Sequence, residues 1–411
     1  MSDDGTHSSL RDGIHPFLRD GTDPSLRDGI HPSLRDGIHP SLRDGFRAAV
    51  GRALEPLSGD ATLPRVCGAL GAAGILAGVY RRTGRDGPVA DPGRLGALLA
   101  ATDARGDNGV TLGVLVQTAS AVPLLGSAPA GSPAARVYEE ALRGATTVAL
   151  AATDAAAPGS DLAGLGTEVS VSCGELTLTG GKRWATGACV AGHLLVLARH
   201  RPGRHFTSFT WVLVPADAPG VEIVDAATDL LPGSATGHIR FDSVRLPADH
   251  VIGRQGRGMA AFARHMGTER LAGAQWAVAL TGRVLAQTLD VLQGRSVDGV
   301  PLWHNDVVRR DFAACLVKVS GLRALYETHA RRIVEEQDLA AAALLKSAVG
   351  LAADEVLACC AQLQGADGFL RGRAQQIRAE AAVLGIGGGA TGLLLGNVAD
   401  GAEPLLERLR A

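Results

Sequence analysis

Residues 153–186 read TDAAAPGSDLAGLGTEVSVSCGELTLTGGKRWAT, a loop of small residues followed by two short alternating runs and a Trp-bearing edge. The part from Ala155 to Gly164 is too rich in Ala, Gly and Pro for a regular element, and it offers Thr153, Ser160, Asp161 and several unblocked backbone N–H groups to a flat polar ligand. VSVSC and LTLTG alternate apolar and hydroxyl residues about Gly174-Glu175, which predicts a hairpin with one wet face. Lys182-Arg183-Trp184-Ala185-Thr186 then sets an aromatic plane and a hydroxyl two residues apart, on the same side of a strand. Pattern alone leaves two readings open, a ligand site and a surface hairpin whose Trp anchors a core.

Outward from this stretch the periodicity changes twice. From Phe46 to about Arg143 apolar residues recur at helical spacing through GRALEPLSG, LPRVCGALGAAGILAG, GRLGALLAAT and NGVTLGVLVQTASAVPLL, and TGRDGP (Thr83 to Pro88) predicts a loop. From Thr147 to Gly253 β-type runs dominate, among them HLLVLAR, FTWVLVP and VEIV, which predicts a small β-barrel or sandwich. Beyond Gly256 the chain is helical again over 261–292, 306–336, 339–363 and 374–384. The expected domains are therefore helical (46–146), β (147–253) and helical (254–411), after a leader over 1–45. Residues 9–45 of that leader repeat the octapeptide SLRDGIHP, with variants FLRDGTDP and SLRDGF. Each unit has only two larger apolar residues, too few to offset the entropy of ordering, so a disordered arm is expected. The recurrence of His15, His31 and His39 follows from expansion of the repeat, and no metal site is assigned.

Composition narrows the function classes. With 411 residues, 46% hydrophobic and 20% charged, the chain can bury a core in two or three structural units. A net charge of −2 gives no electrostatic footprint for nucleic acid or an anionic membrane. Six cysteines lie scattered without C-x-x-C spacing, which best fits a reducing cytosol with no disulfide or zinc framework. No signal-length N-terminal apolar stretch and no eighteen-residue apolar run is read, so a soluble cytoplasmic protein is expected.

The loop and edge resemble two motifs of the acyl-CoA dehydrogenases, T-E-x-x-x-G-S-D and K-x-[WF]-I-T-N-G. They stand here as TDAAAPGSD, one residue longer and with Asp154 for the Glu, and as KRWATGA, with Gly187 for the Asn. FDSVRLPADHVIG (Phe241 to Gly253), GRGM with ERLAGA (Gly256 to Ala274), AQLQGADGF (Ala361 to Phe369) and IGGGAT (Ile386 to Thr391) are similar to later family segments, in the family's order. The resemblance runs from roughly Gly45 to Asp400. It implies an α+β fold of an N-terminal all-α domain, a middle β-barrel domain and a C-terminal four-helix bundle. It also implies FAD as cofactor, an acyl thioester on coenzyme A or a carrier protein as substrate, an electron-transfer acceptor, and a homo-oligomer, dimer or tetramer.

Oxidising an acyl thioester to its enoyl form needs a base for the α-proton and hydrogen bonds to the thioester carbonyl, while the flavin takes the β-hydride. In the family the base is a Glu in one of two places. The commoner, in I-Y-E-G-T, falls here on Gly387 or Gly388; the other, on the first helix of the C-terminal bundle just before an Arg, is occupied by Glu269. The resemblance thus implies Glu269 as base, with its pKa raised by an apolar pocket. Arg270 is expected to support that helix or approach the substrate. Thr153, Trp184 and Thr186 match flavin contacts, and Ser160 a contact to the thioester tail. At the adenine end R-x-x-F-G-x-P reads RSVDGVP, keeping Arg295 but with Asp298 for the aromatic, and Asp306 stands for a Gln. Gln362 and Gly365 match the segment that approaches the FAD of a neighbouring subunit, with Ala366 in place of a glycine. His265, one turn before Glu269, and Lys346 are read as packing residues. The implied activity is FAD-dependent α,β-dehydrogenation of an acyl thioester, in specialised metabolism. Loss of the I-Y-E-G-T Glu leaves two alternatives, a flavin monooxygenase on the same fold and a pseudoenzyme.

Overall fold

The computed structural model describes residues 40–82, 87–159 and 161–410, and Arg43–Ala411 forms one compact unit. The octapeptide repeat before Pro40, part of the TGRDGP loop and Ser160 lie outside the described residues.

The N-terminal helices are α1 (Pro40–Leu54), α2 (Leu63–Ala72), α3 (Pro92–Asp103), α4 (Asn108–Val116) and α5 (Pro133–Leu142). Helix α1 starts inside the stretch assigned above to the leader, with Pro40 at a position where its missing N–H is harmless. Polar caps set three of the starts: Asp91 accepts from Arg94 N at 3.0 Å, Asp107 from Val110 N at 2.9 Å and Ser132 from Ala135 N at 3.2 Å. The short α5 was not read from the sequence.

After α4 the chain widens into a π turn over Gln117–Ala121 before the short helix Val122–Leu125. Pro123 has no N–H to offer the carbonyl of Ala119, so regular winding is interrupted there. Two bonds pin the turn: Tyr80 OH donates to Thr118 O at 2.7 Å, and Gln117 Oε1 accepts from Val148 N at 3.0 Å. The stretch Asn108–Leu125 is long and apolar enough to cross a membrane, contrary to the reading above, and 89% of it is buried inside the fold.

The β region comprises β1 (Val148–Ala151), β2 (Glu168–Ser172), β3 (Glu175–Ala185), β4 (His193–Arg199), β5 (Phe209–Pro215), β6 (Val221–Asp225), β7 (Gly237–Pro247) and β8 (Val251–Ile252). They form one sheet in the order β8-β5-β4-β2-β3-β7-β6, with β1 pairing parallel to β4. The expected hairpin is β2–β3, paired from Ser172↔Glu175 to Glu168↔Thr179. HLLVLAR and FTWVLVP are buried on both faces for a physical reason. Leu194, Val196, Val212 and Val214 meet Leu176, Leu178 and Phe241 from β3 and β7 in an inner core, so the sheet coils on itself as an open barrel. Leu195, Leu197, Phe209, Trp211 and Leu213, one residue out of step, pack against Leu124, Leu125 and Val137 of the helical region.

The C-terminal helices are α6 (Gly258–Gly294), α7 (Asp306–Glu335), α8 (Leu339–Gln364), α9 (Ala374–Ala381) and α10 (Thr391–Asp400). Leu271, Trp276, Leu280 and Val284 of α6 share a core with Leu345, Val349 and Val356 of α8, Phe312 and Leu322 of α7, and Leu95 and Leu98 of α3. The start of α6 is fixed against the sheet, where Trp211 Nε1 donates to Gly258 O at 2.9 Å. That contact sets the position of everything three turns along the helix, including Glu269.

Candidate active site

The loop after β1 is bolted to the end of β3 by a buried ion pair. Lys182 Nζ lies 3.1 Å from Asp154 Oδ2 and 3.2 Å from the carbonyl of Ala152, with both charged side chains almost wholly out of solvent. The carboxylate also accepts from Ala156 N at 2.9 Å, Thr167 N at 3.0 Å and Thr167 Oγ1 at 2.6 Å. Burial pushes the Asp154 carboxyl up, but Lys182, Thr167 and the backbone donors outweigh it and hold it at about 2. Burial brings Lys182 down to about 8, with Asp154 opposing. Backbone bonds Ala155 N to Gly181 O and Arg183 N to Thr153 O, each 3.0 Å, lay the loop along the strand. Sequence reading noted both residues and assigned neither a role. Their partnership becomes visible only once the β2–β3 hairpin returns Lys182 to the loop.

Trp184 departs from the expected strand geometry. Pairing of β3 with β7 shifts register between Lys182 and Ala185, and Trp184 has φ 56°, in the left-handed region. Alternation is broken there and the strand ends at Ala185, so Trp184 and Thr186 do not share a strand face. The indole is 54% exposed, which excludes its reading as a core anchor. Instead its backbone N–H donates to His238 Nδ1 at 3.2 Å, the rings meet edge-on at 5.0 Å, and the Arg183 guanidinium lies 5.9 Å from the indole. A bulky residue held at positive φ with its ring in solvent is a strained position that no core packing explains. Thr186 is half-buried beside it. Asp161 closes the loop, accepting from Gly164 N at 3.1 Å and from Arg204 at 2.6 Å.

Glu269 sits where the helical region, the sheet and the bundle meet. Ser120, carried by the π turn, donates to Glu269 Oε2 at 2.5 Å. Leu124, Leu150, Trp211, Phe262 and Met266 wall the small cleft in front of the carboxylate, and Ser120 and His265 are its other polar residues. Burial raises the Glu269 pKa, against the lowering influence of Ser120, Arg270 and Lys346. His265 is brought down to about 4, first by burial and then by Arg264, so it is neutral at pH 7 and faces the same cleft. Arg270 Nε donates to Gly388 O at 3.0 Å, and Lys346 donates to Leu384 O. The two alternative places for a base converge: a Cβ on Gly388 would lie 3.5 Å from Glu269 Oε1. Ser120 was missed by sequence reading, because nothing in QTASA marks its hydroxyl as aimed across the fold.

The predicted adenine-end residues form a second group. Arg295 donates to Gln364 O at 3.3 Å and pairs with Asp367, while the N–H of Gly365 bonds back to Gln362 O. Arg295 lies 26 residues beyond Glu269, roughly 39 Å along the axis at 1.5 Å per residue. Asp298 and Gly299, at φ 52° and 80°, make the two-residue turn between Ser296–Val297 and Val300–Pro301. Asp-Gly is a favoured pair for such a turn, which accounts for an Asp where the resemblance expects an aromatic.

Comparison with known proteins finds two matching family models: acyl-CoA dehydrogenase, middle domain, over residues 149–244, and acyl-CoA dehydrogenase, C-terminal domain, over residues 256–403. An acyl-[acyl-carrier-protein] dehydrogenase of Mycobacterium sp. (strain MCS) is 28% identical over 71% of this chain and 75% of its own length. A probable acyl-CoA dehydrogenase of Mycobacterium tuberculosis is 28% identical over 55% of this chain and 58% of its own. Among solved structures, a probable acyl-CoA dehydrogenase from Mycobacterium abscessus superposes with a TM-score of 0.78 at 22% identity, covering 88% of this chain and 97% of that one. A glutaryl-CoA dehydrogenase from Mycobacterium smegmatis in complex with FADH2 does so with a TM-score of 0.79 at 18% identity, covering 90% and 96%.

Proposed function

Because the chain belongs to the acyl-CoA dehydrogenase family, we propose that it dehydrogenates an acyl thioester between its α and β carbons with Glu269 as the base. It is a flavin oxidoreductase acting on CH–CH groups, and its cofactor is FAD. The residues present suit the isoalloxazine end: the clamped loop, whose Thr153 carbonyl accepts from Arg183 N, runs beside the strand end that carries the exposed Trp184 and Thr186. FAD, when bound, supplies the acceptor for the substrate's β-hydride.

The observation that carries the reading is the environment of Glu269. A carboxylate with a raised pKa faces an apolar cleft, with one oxygen held and the other free. Ser120 fixes Oε2, which leaves Oε1, toward Gly388, to take the α-proton. The apolar wall lowers the polarity around the carboxylate and keeps it basic enough for a weakly acidic C–H. Neutral His265 adds no competing cation to the cleft. Arg270, bonded to Gly388 O, holds the loop that backs the base and so positions it. Ser160, in the GSD segment, is assigned to the thioester tail from the motif alone.

Arg295, Gln362 and Gly365 are too far along the bundle from Glu269 to serve the same FAD. They support a homo-oligomer in which this cluster receives the adenine end of a partner's cofactor. The relative from Mycobacterium sp. that acts on carrier-protein substrates favours specialised metabolism over fatty-acid breakdown. A monooxygenase would have no use for a poised base in an apolar cleft, so that alternative is set aside.

Anaerobic titration of FAD-loaded protein with saturated acyl thioesters tests the reading. Wild type should bleach the oxidised flavin band and Glu269→Gln should not. Bleaching that survives in Glu269→Gln removes Glu269 as base, and a wild type that no thioester reduces removes the dehydrogenase reading.

A further inference from the structure

The chain is slightly acidic overall, yet the rim beside the GSD loop is strongly basic. Residues 199–205, RHRPGRH, contain three arginines and two histidines, and residues 253–264, GRQGRGMAAFAR, contain three arginines; neither segment has a carboxylate. The fold brings them together at one edge. Arg204 pairs with Asp161 of the loop at 2.6 Å, Arg199 donates to Ala163 O at 3.3 Å, and Gly256 packs so closely that an added Cβ would lie 2.9 Å from Thr207 O. Arg201, Arg204, Arg254, Arg257 and Arg264 are all exposed. Asp161 neutralises Arg204, and Glu168 stands opposite Arg199 in the ladder. Among the described residues Arg201, Arg254, Arg257 and Arg264 have no carboxylate partner. Within the same rim Phe206 leaves 54% of its surface in water, its ring 4.6 Å from that of His205.

We propose that this rim is a docking surface for an acidic carrier protein that delivers the acyl group on its phosphopantetheine arm past the GSD loop. The inference rests on the thioester reading above and names the carrier that reading leaves open. Two features favour a protein face over the phosphates of coenzyme A. The cations come from two separate segments along the rim, and an exposed aromatic lies among them. Separated positive charges around an apolar anchor match a helix face that carries carboxylates and one apolar side chain. A nucleotide phosphate calls for convergent donors, and Arg204 and Arg201 are already engaged with Asp161 and Thr207.

The test compares wild type with Arg201→Glu/Arg254→Glu and with Phe206→Ala. Binding of a fluorescently labelled holo acyl carrier protein is followed by anisotropy at low and high salt. Flavin reduction is then measured with butyryl-pantetheine, butyryl-CoA and the butyryl-loaded carrier. The expected result is carrier binding that weakens with salt, loss of at least tenfold in affinity and in kcat/KM for the carrier substrate in the double variant, and a butyryl-pantetheine rate within twofold of wild type, which also certifies its fold. Phe206→Ala should lose affinity without losing salt dependence. Equal carrier binding by wild type and double variant overturns the proposal, as does absence of binding by wild type. An equal loss with butyryl-CoA also overturns it and assigns the rim to nucleotide phosphates. If the carrier binds as expected and no thioester reduces the flavin, the docking surface stands and the dehydrogenase reading falls.

Discussion

Replacing Lys182 by Met separates the architecture of the loop after β1 from the flavin contacts proposed for it. The change removes an ammonium 3.1 Å from Asp154 while filling most of the same volume. A buried ion pair that loses one partner is destabilised by about 3–5 kcal/mol, because the remaining charge stays buried. Here the carboxylate keeps three donors, from Ala156, Thr167 N and Thr167 Oγ1, which places the expected loss near the lower end, about 3 kcal/mol. At roughly 2 °C per kcal/mol for a chain of this size, the melting midpoint should fall by about 6 °C. Asp154→Asn should do at least as much damage, since it leaves Lys182 with only the carbonyl of Ala152. The double variant Asp154→Asn/Lys182→Met should lie well short of the sum. Differential scanning fluorimetry with and without FAD reads both stability and cofactor affinity, and FAD should stabilise the single variants less than wild type. The pH dependence has a defined sign. Asp154 is held at about 2, below its ordinary value, so its ionisation stabilises the fold above the ordinary carboxylate range and that stability is lost as pH falls toward 2. The gap between wild type and Lys182→Met should therefore narrow below about pH 4. A Lys182→Met protein that melts within a degree of wild type and binds FAD equally well would refute the clamp.

Four further outcomes follow from the site. Glu269→Gln should lower the rate of flavin reduction by about two to four orders of magnitude while leaving FAD binding intact, as stopped-flow absorbance would show. Because burial raises the Glu269 pKa, wild-type kcat/KM should rise with pH through an acid limb above the ordinary Glu value, and His265, held at about 4, should add no limb near 6.5; a limb that disappears in His265→Gln would contradict this. Gly388→Glu in a Glu269→Gly background should restore measurable flavin reduction, since the two positions meet at 3.5 Å, and complete inactivity in a folded protein would count against that convergence. Trp184→Gly should relieve the left-handed backbone and stabilise the apoprotein by about 1 kcal/mol while weakening FAD binding, whereas a loss of apoprotein stability would show that the indole packs as structure.

The layer order was legible because periodicity is a property of each segment. Helices α6, α7 and α8 begin or end within about three residues of the spans read from apolar spacing, and the β2–β3 hairpin turns where Gly174-Glu175 suggested. Other features depend on partners distant in sequence. Ser120 is an ordinary small residue until the π turn faces α6, and Lys182 is an ordinary strand-edge lysine until the loop beyond β1 folds back on it. Trp184 misled for a different reason. Strand alternation assumes extended backbone, and a register shift with φ 56° cannot be seen in KRWAT. The stretch 108–125 was read as a helical run, but not as long and apolar enough to cross a membrane, and packing buries its Asn, Gln, Thr and Ser residues with the rest.

The glycine run at 387–389 bears directly on whether this is a working enzyme. Read alone, Gly388 at the place of a catalytic Glu suggests a lost function. The structure supplies a different cause. Gly388 has φ 71°, a conformation that L side chains adopt at a penalty, and its carbonyl anchors Arg270 at 3.0 Å. An added Cβ at that position would lie 3.5 Å from Glu269 Oε1, and a carboxylate there would set two like charges in one apolar cleft. Gly389 is as constrained, at φ 115° with Arg270 Nη2 3.4 Å from its Cβ position. With Glu269 on α6 as the proposed base, a loop that comes close and stays small suits the site, and glycine provides both. The absence of the loop Glu is thus what the presence of Glu269 demands, and the pair of positions is consistent with one base at one point in space.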